Sequence, residues 1–327
     1  MKAESIQALE EGLRRSLRRL VPSGQGVLLA VSGGADSMTL LSGGARLAGR
    51  IGLTFEAATV DHHLREDSSA EVASVARLAA SLGVVHHALE ARITVTTGVE
   101  AAARTARYAA LEALRVERQL DLVATAHTAS DQAETLLMRL ARGTSLAGAA
   151  SIHEVRADRV IRPLLFATRS EVEGYVAARG LEVARDPMNV DPAFLRVRVR
   201  QQVLPALEAA AGPGVERALA RFAGFAAEDE AWLNAEALQA LARVRWPEDD
   251  TLEAEALGAL GPPIARRVLA IWLSGRGVPL DGELLEAALH AARDRRTATL
   301  PGDRVLACSN GRVTVLPAPA RLHATSS

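Results

Sequence analysis

Between residues 27 and 140, short apolar runs alternate with longer segments of helical spacing, and few folds accommodate that order. Residues 27–31, 55–60, 84–89 and 122–126 read as strands, being mostly apolar and too short for helices. Segments 69–82, 100–118 and 131–140, together with the stretch carrying Leu40, Leu41 and Leu47, place apolar residues three and four apart and read as helices. Strands joined through helices of this length lie parallel under helices on both faces, and ligands bind at the carboxyl ends of the strands. The expected fold class is therefore α/β, a doubly wound, Rossmann-like parallel sheet. Its functional residues should follow strands.

An amphipathic helix precedes the first strand, with Ile6, Leu9, Leu13, Leu17 and Leu20 on one face and Glu10, Arg14 and Arg18 on the other; Pro22, Ser23 and Gly24 end it. Beyond Pro163 the pattern is helical, broken by loops at 185–192 and 211–214. Proline and glycine are dense near 205–214, so the expected domains are 1–208 and 209–327. The second should be smaller and α-rich, with apolar spacing at Leu219, Phe222 and Phe225, at Leu238 and Leu241, and at Ile264, Val268 and Leu269. It should close with a β-hairpin of 304–308 and 312–316 turned by Asn310-Gly311.

A length of 327 residues exceeds what one hydrophobic core usually serves, and at 49% apolar residues a buried core is assured. No stretch approaches the ~20 apolar residues of a membrane span, and the charged N-terminus lacks a signal peptide's apolar centre. The expectation is a cytoplasmic protein with no membrane partner. Cys308 stands alone, which excludes an internal disulfide, a Cys-x-x-Cys pair and an all-cysteine metal site. The net charge of −1 hides an uneven distribution: residues 228–255 carry nine acidic groups against Arg243 and Arg245, and residues 156–169 carry four arginines against Asp158.

The first strand runs into Ser32-Gly33-Gly34-Ala35-Asp36-Ser37 and then a helix. Glycines let the backbone turn sharply and approach a ligand, while successive amides and the helix dipole favour an anion, for which phosphate is the natural guest. The lysine of a Walker loop and the three glycines of the dinucleotide fingerprint are missing. Asp36 instead places a carboxylate beside the phosphates, an arrangement that calls for a cation such as Mg²⁺ between them.

The second strand ends in Asp61-His62-His63, where Asp61 either accepts a hydrogen bond from a nucleotide's ribose or base or caps the following turn. Asp-His-His also marks a metal-dependent phosphoesterase family, but the early Asp-x-Asp which that chemistry needs is missing. The fourth strand leads into His127-Thr128-Ala129-Ser130-Asp131, in which Thr128 and Asp131 fit a capping box. Asp131 and Glu134 share a helix face, making Asp131 a second Mg²⁺ ligand or its orienter. Glu134 is either a salt-bridge partner or a catalytic group, and His127 either a core imidazole or an active-site donor. Arg104 and Arg107 lie three apart on one helix face, where guanidinium forks suit triphosphate or nucleic-acid phosphates. Arg196, Arg198 and Arg200 share a face if extended and fan out if helical, and they suit a polyanion.

Together these residues resemble the tRNA(Ile)-lysidine synthetase family, within the N-type ATP pyrophosphatases. The S-G-G-x-D-S loop carries the wider resemblance. Val60-Asp61-His62 with Leu64-Arg65, Ala103-Arg104 with Arg107-Tyr108, His127-Thr128 with Asp131-Gln132-Ala133-Glu134-Thr135, and Arg139-Leu140 with Arg142-Gly143-Thr144 carry the narrower one. Arg162-Pro163-Leu164-Leu165, Asp186 with Asn189, and the Arg196, Arg198, Arg200 run continue it. The resemblance is strong over about residues 25–205; His63 and Val197 depart from the family pattern, and the chain resembles the family's short form.

The resemblance implies ATP-dependent ligation of L-lysine to C2 of the wobble cytidine of the CAU-anticodon isoleucine tRNA, through an adenylylated base, with release of AMP and pyrophosphate. It implies ATP and Mg²⁺ as cofactors, and leaves a homodimer open. It implies nucleotide binding by Ser32, Gly33, Gly34, Ala35, Asp36, Ser37 and Asp61, and metal binding by Asp36 and Asp131. Asp36, Arg104, Arg107, His127 and Asp131 would be catalytic, Arg196, Arg198 and Arg200 would hold RNA, and residues 209–327 would contact tRNA or substrate. The alternative is another adenylating ATP pyrophosphatase, of the NAD synthetase or amidotransferase type. A sulfur-transferring tRNA enzyme of the same fold would need more cysteines than Cys308, and a non-catalytic nucleotide-binding protein would have no use for Asp131 and Glu134.

Overall fold

The strand β1 (Gly26–Ala30), GVLLA, is apolar throughout and almost entirely buried, as the centre of a sheet covered on both faces must be. With β2 (Thr54–Asp61), β3 (Val85–Glu90), β4 (Leu122–Ala124) and β5 (Val160–Ile161) it forms a parallel sheet of order β3-β2-β1-β4-β5. Leu29 of β1 stands opposite Ala57 on one side and Ala124 on the other. The chain reverses direction across the sheet between β1 and β4, so the carboxyl ends of these two strands flank the crevice where such folds bind ligands. The computed structural model describes residues 2–61, 68–91, 98–184, 191–246 and 248–318.

The helices of this unit are α1 (Lys2–Leu20), α2 (Ala35–Ile51), α3 (Ser68–Ser81), α4 (Val99–Glu117), α5 (Ala129–Leu140), α6 (Leu146–Ala149), α7 (Arg169–Arg179), α8 (Leu195–Arg198), α9 (Leu204–Ala211) and α10 (Val215–Val244). One face of the sheet, with Val27, Leu29 and Val31, packs against Leu9, Leu13 and Leu17 of α1, Leu40, Leu41 and Leu47 of α2 and Tyr175 of α7. The other face, with Leu28, Ala58 and Val123, packs against Leu111 and Leu114 of α4. The period-two alternation of Val27, Leu28 and Leu29 thus feeds two cores, one above and one below the sheet. The doubly wound α/β expectation holds, and β5 is a strand that two residues could not announce.

Two compact units divide the chain, Met1–Phe225 and Ala226–Ser327. That division falls within α10, beyond the proline- and glycine-dense segment at 205–214 on which the sequence boundary at 208/209 rests. In the second unit, β6 (Arg245–Trp246), β7 (Thr251–Glu253), α11 (Ala254–Ala259), α12 (Pro262–Ser274), α13 (Gly282–Arg293), β8 (Ala298–Leu300), β9 (Arg304–Ser309) and β10 (Arg312–Pro317) surround a core containing Leu252, Val268, Leu269, Trp272, Leu273, Leu289 and Leu306. The expected hairpin is β9 and β10, turned through Asn310 (φ 48°) and Gly311 (φ 76°), the left-handed pair that a tight hairpin requires. It forms part of an antiparallel sheet of order β6-β7-β10-β9-β8. Three members of the acidic run are paired within this unit: Glu230 with Arg267, Asp249 with Arg312, and Asp250 with Arg245 and Arg276.

Candidate active site

The extended chain continues past β1, since Val31 N–H still donates to Ala58 O at 2.8 Å. Gly33 then takes φ +84°, a conformation that side chains resist. The Gly33 carbonyl accepts from the Ala184 amide at 2.9 Å, and a Cβ at Gly33 would stand 3.5 Å from that of Ala184. Gly34 caps α2 in an extended conformation without any side-chain cap bond, so the first amides of α2 and its dipole are presented to an incoming anion. Ser37 Oγ fixes the loop from inside, accepting from Ser32 N at 3.1 Å and donating to Gly34 O at 3.0 Å. This places Ser32, Gly33, Gly34, Ala35, Asp36 and Ser37 in one turn at the carboxyl end of β1, as the sequence predicts.

Burial pushes the Asp36 carboxyl up to about 6, aided by the nearby Asp131 and Glu134 carboxylates and opposed by Arg169 and Arg200. A carboxylate held beside like charges gains from a bound cation.

On the other side of the crevice, β4 gives way to Thr125 and His127, whose Nδ1 lies 3.1 Å from the Thr125 hydroxyl. Burial, together with Arg162, Arg104 and Arg196, lowers the His127 pKa to about 4 against the opposing pull of Asp131, so the imidazole is neutral at pH 7. The capping box read from sequence is present: Asp131 Oδ2 accepts from Thr128 N (2.9 Å) and Thr128 Oγ1 (3.0 Å), and Asp131 N donates to Thr128 Oγ1 (3.3 Å). Asp131 Oδ1 receives Arg196 Nη2 at 3.1 Å. Burial would raise the Asp131 pKa, but Arg196 and the Thr128 hydrogen bonds overcome it and hold this carboxyl below the ordinary aspartate value.

One turn further along α5, Glu134 is fully buried, at 0% side-chain exposure, between two arginines. Arg196 Nε donates to Oε2 at 2.7 Å, Arg200 Nε to Oε1 at 2.6 Å, and Arg200 Nη2 to Oε2 at 3.0 Å. These arginines meet one carboxylate because α8 and the π-helical turn Val199–Val203 put residues four apart on the same face. The run is therefore helical and fans out, with Arg198 donating to the Pro192 and Ala193 carbonyls at 2.7 and 2.9 Å. Glu134 is a salt-bridge partner with its oxygens already engaged.

Arg104 and Arg107 are exposed on α4, and the Arg104 guanidinium lies 5.2 Å from the Tyr108 ring centroid. Asp61 ends β2 at the same sheet edge, where its carbonyl accepts from Ala91 N at 2.9 Å. His62, His63, Leu64, Arg65, Asp186 and Asn189 lie outside the described residues. Sequence reasoning missed Arg169, whose amide donates to Ser130 Oγ at 2.9 Å, whose buried Nε has no partner among the described residues, and whose charge bears on Asp36. Nothing local distinguishes it from any other arginine at a helix start.

Among the described residues no group of three His, Cys, Asp or Glu side chains is gathered to hold a metal. Asp36 nevertheless fits a Mg²⁺ ion, which is commonly held by one or two carboxylates with phosphates and water completing its shell. Asp131, with Thr128 on one oxygen and Arg196 on the other, would have to exchange a partner to become a ligand.

Comparison with known proteins adds to this geometry. The sequence model of the PP-loop domain family matches residues 7–207. The tRNA(Ile)-lysidine synthase of Salinispora tropica is 39% identical over 98% of this chain and 99% of its own, and that of Thermobifida fusca 41% identical over 84% of each. Among solved structures, the U34-tRNA thiolase NcsA of Methanococcus maripaludis, with its [4Fe-4S] cluster, superposes with a TM-score of 0.60 over 70% of this chain and 81% of that one. At 17% identity that likeness establishes a shared fold.

Proposed function

The chain belongs to the tRNA(Ile)-lysidine synthase family, and on that premise we propose that it joins free L-lysine to C2 of the wobble cytidine of the CAU-anticodon isoleucine tRNA. ATP is consumed to AMP and pyrophosphate. The observation that carries this reading is the uncapped α2 N-terminus beside Asp36, facing the Asp131 and His127 end of β4 across one crevice.

The chemistry has two requirements. The C2 oxygen of cytidine leaves poorly until adenylylated, and attack at the α-phosphorus requires the departing pyrophosphate to be stabilised. In this reading Ser32, Gly33, Gly34, Ala35 and Ser37 hold the phosphates through main-chain amides and hydroxyls, and Asp61 meets the nucleoside end. Asp36, and Asp131 after a change of partner, would hold a divalent cation, which supplies charge neutralisation at the phosphates. Arg169 and Arg200 add positive charge on the Asp36 side.

His127, neutral and fixed by Thr125, offers a hydrogen bond to the base rather than a charge. Arg104 and Arg107 are assigned to the activated base or its phosphates. Arg196 and Arg198, the more exposed members of their run, are assigned to the RNA, with Arg200 holding Glu134 in place. The second unit contributes to tRNA binding.

AMP formation tests this reading against the alternative of a carboxylate-adenylating relative. AMP should appear only when ATP, lysine and the isoleucine tRNA are present together; AMP formed without RNA on a carboxylate substrate would overturn it.

A further inference from the structure

Around Tyr108 three arginines converge that come from separate segments. Arg104 lies over the ring at 5.2 Å and Arg156 at 4.5 Å from the centroid, while the charge of Arg162 is close enough to be felt by the phenol. Arg162 is only 4% exposed, donates through Nη1 to the His153 carbonyl, and has a buried Nε that meets no partner among the described residues. Arg156 sits on a short antiparallel excursion between Ile152 and Ile161, held by its amide donating to Val160 O at 2.9 Å and by the Val155–Ile161 bridge. Among the described residues, the one carboxylate paired with these three arginines is Asp158, 2.6 Å from Arg156. A concavity lined by His153, Val155, Arg156, Ala157 and Asp158 opens alongside, and Val155 within it is 54% exposed. Three cations, one carboxylate and one aromatic ring leave a positive surplus against a flat face, and an anion bearing a base or sugar completes such a set.

The neighbours of the two ends of the crevice indicate which anion. Asp36 feels Arg169 and Arg200, whereas His127 feels Arg162, Arg104 and Arg196. Two of the arginines around Tyr108, Arg104 and Arg162, therefore lie toward the His127 side of the crevice, and Arg156 shares the Tyr108 ring with Arg104. Resting on the lysidine reading for the identity of the RNA, we propose that Arg156, with Tyr108 and Arg162, is a docking site for an anticodon-loop phosphodiester next to the wobble nucleotide. Arg156 supplies the charge, Tyr108 the flat surface on which Arg156 is held, and Arg162 the buried positive charge beneath.

The test is equilibrium binding of the isoleucine tRNA transcript to the full chain across a salt series, with steady-state KM values for tRNA and ATP. For Arg156→Ala the expected result is about a tenfold weaker tRNA affinity and a log K versus log salt slope shallower by about 0.7–1, with the KM for ATP unchanged. Arg156→Lys, which keeps the charge, should retain the wild-type slope and so separates loss of a phosphate contact from loss of fold. Wild-type affinity and slope in Arg156→Ala would overturn the proposal, as would a rise in the KM for ATP with tRNA binding intact. Since binding needs no turnover, a wild-type protein that binds tRNA but forms no lysidine would sink the lysidine reading while leaving the salt slope to decide the phosphate site.

Discussion

Asp36 is held where ionisation is unfavourable. Its pKa of about 6 lies above the 3.8 of an unperturbed aspartate, so the folded state binds the extra proton between these values. Its contribution to stability is therefore full at low pH and is lost as pH rises through about 6. Asp36→Asn should make the metal-free protein more stable at pH 7.5, by on the order of 1–3 kcal/mol, while abolishing activity. Denaturant melts at pH 7.5 and pH 4 check this: the gain should shrink as wild-type Asp36 takes up its proton, and a variant less stable at both would contradict it. The turn of residues 32–37 was legible in the sequence because six adjacent residues carry the pattern. The clasp on Glu134 was not, since Arg196 and Arg200 approach it from more than sixty residues away and pairing across that distance leaves no local trace.

At the scale of elements, β1 to β4 and their helices announced themselves through apolar runs and periodicity, whereas β5, β6, β7 and β8, at two or three residues each, fall below any window that periodicity can read. The π-helical turn after α8 was equally silent, although it carries Arg200, which meets the same carboxylate as Arg196 of α8. The capping box of α5 was readable from Thr128 and Asp131, and it does two jobs, capping the start of the helix and fixing one Asp131 oxygen. Thr128→Ala should cost about 1 kcal/mol of stability, with Thr128→Ser recovering most of it. Urea unfolding of the pair measures this, and an unchanged midpoint for Thr128→Ala would show that the cap contributes nothing.

Across the whole molecule, charge is organised by pairing more than by net value. The nine acidic residues of 228–255 outnumber the two arginines among them, yet Glu230, Asp249 and Asp250 are met by arginines of the same unit. Compactness divides the chain after Phe225, inside the continuous helix α10, where no proline or glycine cluster marks a break. The parallel sheet, by contrast, follows from strand and helix order alone, and it gathers Asp36, His127, Asp131 and Glu134 about one crevice. The most direct measurement of what that crevice does is nucleoside mass spectrometry of the isoleucine tRNA transcript after incubation with the full chain, ATP, Mg²⁺ and L-lysine. Lysine added to a single cytidine at the anticodon wobble position is the predicted result; an unmodified transcript under saturating conditions would contradict it.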